Sequence, residues 1–296
     1  GNPIGMNSGL TFTGSGELDN GTTFTLTLTG ADQSAYSSGS IAMTMPSIGG
    51  IKINQGAGGT GVDRYDDMMP TAWEETNGTS LGTGLQTVAG VGTSMNVEWT
   101  AAADMLPDGV TFGVAFAPGA AGGGVQNDKA NSGAANAGVG GGYDITVGHT
   151  GIMDGLNVFA GVSQIEQDDS VITAGWTGDR TQHVVGATYA IGSVTLGYQY
   201  SMDNHNARGG TTTTQYYENN AFGVSFAVND DLTLSFGEHR SERGVVMSSG
   251  VAPTELKAQS LQLSYSMGGA SIKFAESQVD NASYTSGTAN DNDGRT

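Results

Sequence analysis

The most pronounced chemistry in this chain is acidic and local. Asp63, Asp66, Asp67, Glu74 and Glu75 fall within one polar stretch that opens Asp63-Arg64-Tyr65-Asp66-Asp67. Carboxylates gathered this way lower the energy of a passing cation and raise that of an anion. They do so only where a narrow space forces the ion past them. On an open loop, salt screens such charges beyond ~10 Å at 0.1 M. What the stretch can do therefore depends on what positions it.

Other motifs offer less. Gly56-Ala57-Gly58-Gly59-Thr60-Gly61 matches GxGxxG after an expected strand. Dinucleotide binding would need an apolar helix next, and the acidic, proline-interrupted Asp63–Pro70 follows instead. Gly140-Gly141-Gly142-Tyr143-Asp144 resembles one calcium-binding nonapeptide, but such solenoids need tandem copies. The histidines, His149, His183, His205 and His239, are scattered and form no HExxH. Asp203 near His205 and Glu238 beside His239 are the nearest things to catalytic dyads, and no GxSxG nucleophile accompanies them. No catalytic residue, metal site or cofactor is expected.

Composition restricts the scaffold. Glycine is abundant (49) and proline scarce (6), and charged residues make up 13%, against ~25% in an ordinary soluble domain. There is no cysteine, which removes disulfides and thiolate metal sites. Ten basic residues against twenty-nine acidic ones give a net charge of −19, so nucleic acid is not an expected partner. No apolar run is long enough for a spanning helix.

The elements themselves alternate with period two, which sends every second side chain to one face of a strand. Leu10, Phe12, Gly14, Gly16 and Leu18 oppose Thr11, Thr13, Ser15 and Glu17, and Asp19-Asn20-Gly21 turns the chain into Phe24, Leu26 and Leu28. The pattern continues to Ile272 and Phe274 and predicts about fourteen strands in seven hairpins. Short turns fall near 19–21, 46–50, 106–109, 150–155, 190–193, 229–231 and 267–270. Long connections fall near 31–38, 57–93, 118–137, 166–181, 201–215, 239–257 and 277–296. Strands of ~8–11 residues joined alternately by short and long connections predict an all-β, up-and-down antiparallel barrel across an asymmetric membrane. Residues 1–9 read as the end of an outer loop. One strand before Gly1 and one after Thr296 would bring the barrel to about sixteen, with residues 1–296 as one domain.

Parity adds candidate pore-lining residues. Glu17, Lys52, Glu98 and Lys273 sit between apolar or small neighbours, so they should face the interior. A charge on the lipid face at mid-depth would cost ~2–4 kcal/mol. Tyr143, Tyr198, Tyr200, Tyr216, Tyr265 and Trp99 recur near strand ends, where interfacial aromatic girdles would place them.

The stretch Leu10–Gly30 (LTFTGSGELDNGTTFTLTLTG), the segment Gly39–Gly61 and the acidic loop after it resemble the alphaproteobacterial general porins. The resemblance covers essentially the whole chain, in pattern and order. It implies a sixteen-stranded homotrimer in the bacterial outer membrane, in contact with lipid and lipopolysaccharide. It also implies that loop 57–93 folds inward as the pore constriction, carrying Asp63, Asp66, Asp67, Glu74 and Glu75. The expected function is a water-filled, cation-favouring channel for passive diffusion of small hydrophilic solutes and ions. An adhesive or envelope-structural barrel is the alternative. Basic residues opposite the loop are sparser than that family's pattern, and the terminal aromatic of its last strand is absent.

Overall fold

A computed structural model describes residues 9–30, 38–79, 82–120, 139–167, 176–207, 213–245 and 252–296. Alternation in the sequence becomes one continuous ladder. The first strands are β1 (Leu10–Glu17), β2 (Thr23–Gly30), β3 (Ser38–Met45), β4 (Gly49–Gln55) and β5 (Asn96–Ala101). Next come β6 (Val110–Ala117), β7 (Val139–Thr150), β8 (Leu156–Gln167), β9 (Arg180–Ile191) and β10 (Val194–Asn204). The last are β11 (Thr214–Ala227), β12 (Leu232–Val245), β13 (Thr254–Met267), β14 (Ala270–Asp280) and β15 (Asn292–Arg295). Each pairs only with its sequence neighbours, so the fold is an all-β, up-and-down antiparallel barrel sheet whose edges are β1 and β15.

The short turns lie where turn chemistry puts them. Gly21 takes φ 77°, and Asn20 Oδ1 accepts the Thr22 N–H at 3.0 Å. Gly192 (φ 58°) and Gly268 (φ 57°) begin the tight links of β9 to β10 and β13 to β14. These are left-handed positions that glycine enters without steric cost.

The long connections depart from expectation. Strands β11, β12 and β13 each run 14 residues, and they take over parts of the connections expected at 201–215 and 239–257. Likewise β8 extends to Gln167 and β9 begins at Arg180, inside the connection expected at 166–181. Above the hydrocarbon both faces of a strand meet water. The apolar alternation that marks a strand therefore stops before its hydrogen-bond ladder does. The polar tail expected as a connection at 277–296 holds a fifteenth strand, with Asn292–Arg295 paired to Val279–Glu276. Of the remaining expected connections, 31–37 and 121–137 lie outside the described residues, as do residues 1–8.

Burial is inverted relative to a soluble domain. Phe12, Leu26, Leu28, Ile41, Val97, Tyr143, Val185, Tyr198, Phe222, Leu261 and Ile272 are all exposed on one face. Asn54, Asp144, Gln182, Gln199, Asn219, Ser241 and Gln262 are buried on the other. Soluble monomers rarely show apolar patches beyond a few hundred Å², whereas a lipid-facing band requires one. Parity therefore assigns lipid to the apolar set. Leu26→Arg and Leu261→Arg should each destabilise the barrel in lipid by ~2–4 kcal/mol, and Thr25→Arg and Ser264→Arg by far less. Urea titration of folding into vesicles measures the difference, and equal tolerance on both faces would refute the assigned register.

Candidate functional site

The connection between β4 and β5 enters the interior, and glycine is what lets it turn. Gly56, Gly58, Gly59 and Gly61 all have positive φ, between 58° and 68°. The GxGxxG stretch is thus a run of left-handed turns leading off β4, followed by a 3₁₀ turn at Gly61–Tyr65 rather than a phosphate-binding helix.

Both limbs of the loop are fastened near its base. Asp144, fully buried on β7, accepts the Val62 N–H at 2.9 Å and the Val91 N–H at 3.1 Å. A Cβ on Gly61 or Gly90 would lie 2.0 or 2.1 Å from its Oδ2, so only glycine leaves the carboxylate room. Gln182 on β9 accepts the Ala89 and Gly90 N–H groups at 2.9 and 2.7 Å. Asn54 donates to Thr60 Oγ1 and to the Gly92 carbonyl, both at 3.2 Å. An apolar knot of Val62, Tyr65, Val88, Phe159 and Val184 packs beside these bonds, with the Tyr65 and Phe159 rings stacked at 4.7 Å.

From there the loop crosses to the other wall. Pro70 lies so close to β10 and β11 that a Cβ on Gly197 would stand 2.4 Å from its Cδ. The Ala72 N–H donates to Ser235 Oγ on β12 at 2.8 Å. Gln262 on β13 grips Glu74 twice, accepting its N–H at 3.2 Å and donating to its carbonyl at 2.8 Å. Trp73 Nε1 donates to the Phe274 carbonyl at 3.3 Å, and Thr79 hydrogen-bonds Ser277 on β14. The segment therefore spans the interior from the β4–β5 wall to β14.

The expected site residues separate into groups. Asp63 is buried at the loop base, where its Oδ2 accepts the Gly59 N–H at 2.7 Å. Beside it, Glu98 accepts the Gly61 N–H at 3.0 Å and pairs with Arg64, while Lys52 Nζ donates to the Gly58 carbonyl at 3.1 Å. Lys52 and Glu98 are on the inward face, but loop backbone occupies both. Asp66, Asp67 and Glu75 border one small cavity with Thr76, Ala221 and His239. Glu74 adjoins them, its Oε1 accepting the Glu75 N–H at 3.2 Å. Lys273 stands 5.6 Å from the Trp73 ring. Glu17 stays apart on β1. Its row of direct partners, Thr23, Thr44, Gly50, Thr100 and Gly113, ends on inward Thr146 and gives it the same face.

Crowding alters the loop acids. Burial raises the Asp63 carboxyl, and its bond from Gly59 only partly opposes this. Asp66 still reaches solvent, but partial burial against the folded loop, with repulsion from Asp63 and Asp67, pushes its carboxyl up to about 7. The hydrogen bond with Glu74, reinforced by burial, pushes Glu75 up to about 7.

The two His–acid pairs are engaged by other partners. Asp203 contacts His205 at 3.1 Å, but Arg180 also grips both its carboxylate oxygens. Glu238 bonds Arg240 at 2.7 Å and Gln259 at 2.6 Å, while neighbouring His239 is buried on the opposite face of β12. Among the described residues no group of three or more His, Cys, Asp or Glu can hold a metal.

The fasteners Asp144, Gln182, Ser235 and Gln262 escaped the reading of the sequence. Asp144 carried a signal, since it lies between outward Tyr143 and Ile145 and so passes the parity test applied to Glu98. Phe159 carried another, being the one aromatic on the inward parity of β8, which it shares with Asn157, Gly161, Ser163, Ile165 and Gln167. The glutamines and Ser235 carried none, because a polar residue facing the interior is the rule there. Asp144→Asn, which puts an amide donor among backbone donors, should loosen the loop base at a cost of about 1–3 kcal/mol. Faster proteolytic cleavage within 56–95, with the barrel intact on a gel, checks it. Unchanged cleavage would show that Asp144 does not hold the loop.

No protein-family model matches the chain, and no curated protein sequence matches it. Solved structures do. OmpF of Salmonella typhi, in complex with daunomycin, aligns over 97% of this chain and 87% of its own, at 15% identity and a TM-score of 0.67. OmpT, an outer membrane protein of Vibrio cholerae, aligns over 93% of this chain and 79% of its own, at 14% identity and a TM-score of 0.64. A mutant porin of Rh. blastica aligns over 97% of this chain and 86% of its own, at 13% identity and a TM-score of 0.53. Identity this low makes the likeness one of fold. The structures it resembles are outer-membrane β-barrels, porins among them, and this chain carries the lipid-facing band such a location requires.

Proposed function

We propose that residues 1–296 form one barrel domain of an outer-membrane porin, a passive, water-filled, cation-favouring channel for small hydrophilic solutes and ions. In this reading loop 57–93 is the constriction, Asp63, Asp66, Asp67, Glu74 and Glu75 are its charges, and Glu17, Lys52, Glu98 and Lys273 line the wall. The protomer works as a homotrimer, with its outer band in lipid and lipopolysaccharide. It belongs beside the alphaproteobacterial general porins, is not an enzyme, and needs no cofactor. One observation carries the reading: the acidic loop spans the interior, hydrogen-bonded to inward side chains of β7, β9, β12, β13 and β14.

The physical case concerns distance. Most of the net −19 lies where salt screens it beyond ~10 Å at 0.1 M. An ion crossing the interior cannot keep that distance from Asp66 and Asp67, which are exposed on the loop. A fixed carboxylate there stabilises a cation and repels an anion in restricted water. At the base, Asp63 and Glu98 are engaged by backbone N–H groups and Arg64, which reduces their share.

Amides at Asp63, Asp66, Asp67, Glu74 and Glu75 should collapse the cation-selective reversal potential under a KCl gradient while the pore still conducts. Removing Asp280, Asp291 and Asp293 instead should matter little, and less as salt rises. An unchanged reversal potential in the loop variant would refute the constriction. The titration has a definite sign. A carboxyl with a pKa raised to about 7 is neutral below that value and charged above it. Cation preference should therefore grow from about pH 6 to about pH 8, a range in which ordinary carboxylates near ~4 no longer titrate. Reversal potentials across that range check it, and a flat profile would assign selectivity to other groups.

A further inference from the structure

The far limb of the interior loop is held by a second device, contributed by the connection after β14. There the chain passes through Asn281 (φ 55°), Ser283 (φ 55°) and Tyr284 (φ 57°), all left-handed. For a bulky tyrosine that conformation is strained, and it persists only where surrounding contacts over-determine it. Here they do. Tyr284 is 3% exposed. Its hydroxyl accepts the Gln86 N–H at 2.9 Å and shares a 2.7 Å hydrogen bond with Ser241 Oγ on β12. Arg243 donates to its carbonyl at 3.1 Å and lies 5.5 Å from its ring centroid. The Tyr217 ring is 5.0 Å away. Just before it, the Ser283 N–H donates to the Thr83 carbonyl at 2.8 Å. Leu85 packs into the cluster that Tyr284 forms with Leu256, Ala258 and Val279.

We propose that Ala282–Tyr284 is a strap, and Tyr284 a positioning residue, that keeps the open pore steady by holding limb Thr83–Gln86 against the β11–β13 wall. The proposal rests on the channel reading above. Its physical content is an asymmetry along the returning limb, between its base and its far part. Near the base, Asp144 and Gln182 hold backbone N–H groups directly from the strands. At the far limb the Gln86 N–H bonds to Tyr284, so that hold is as firm as the strap that supplies it. A limb freed from Tyr284 leaves an apolar pocket and moves within the ion path.

The chain lacks cysteine, which allows a direct test. A Cβ on Gly84, which takes φ 69°, would lie 3.3 Å from Ser283 Cβ and 3.2 Å from its Cα, a few tenths short of the ~3.5–4.5 Å a disulfide spans, so the single variant Gly84→Cys is checked for folding first. The double variant Gly84→Cys/Ser283→Cys should cross-link on mild oxidation, seen as loss of both free thiols by mass spectrometry. Failure to cross-link would place the strap elsewhere, whatever the protein conducts. In planar bilayers, Tyr284→Ala should raise open-channel noise and brief closures several-fold. Tyr284→Phe, which keeps the ring and loses the hydroxyl bonds, should do so less. Tyr284→Ala combined with the oxidised cysteine pair should conduct quietly again, and a reducing agent should restore the noise. A quiet Tyr284→Ala channel, or noise that the disulfide leaves unchanged, would overturn the proposal. A parent protein that passes no current would end the channel reading and the strap's role in a pore together, while the cross-link would still report on the contact.

Discussion

In hydrocarbon, a backbone N–H or C=O has no partner except another strand. That constraint governs this chain more than any side chain does. Each described strand between the edges β1 and β15 satisfies it by pairing with both neighbours in sequence, with no crossover, and the two edge strands pair on one side. A meander is the simplest topology that keeps backbone groups paired while the chain crosses repeatedly. Its side-chain consequence is period two, with one set turned to lipid and the other to the interior. Apolar residues are then exposed and Asn, Gln, Ser and Asp buried, because lipid has taken the place of water outside.

An inverted barrel has no hydrophobic core to hold its middle, and the interior loop supplies what takes its place. It lies against the inward faces of strands from both walls, and its fastenings are mostly side chain to backbone. Asp144, Gln182, Ser235 and Gln262 each accept main-chain N–H groups that a buried loop would otherwise leave unpaired. Small apolar knots supplement them, one around Tyr65 and Phe159 and one around Leu256 and Tyr284. Glycine makes the approach possible, since side chains at Gly61, Gly90 or Gly197 would collide with Asp144 or Pro70. The same crowding that fastens the loop raises the pKa values of Asp63, Asp66 and Glu75.

Charges that neighbour one another in sequence end in different circumstances. Asp63 and Asp66 are three residues apart, yet the first is tied to Gly59 at the base and the second is exposed beside a cavity. Lys52 and Glu98 face inward, yet loop backbone occupies them. Inward is therefore not the same as accessible.

The sequence by itself determined the sheet. Alternation and turn residues located all fourteen spanning strands and their short turns, because a lipid boundary imposes period two on every crossing and positive φ favours glycine or asparagine. It also determined which face Glu17, Lys52, Glu98 and Lys273 occupy, since parity needs no long-range information. The outer ends of β8 to β13 were not legible, because above the membrane the ladder continues without an apolar signature. Strand β15 was hidden in a polar run for the same reason. Only the tertiary structure decided which inward polar residue meets which part of the loop. Gln262 meeting Glu74 is a contact across 188 residues, and nothing in either neighbourhood encodes it. The reach of the loop, the division of its acids and the strap at Tyr284 all depend on such meetings, which exist only once the sheet has curled around the segment it encloses.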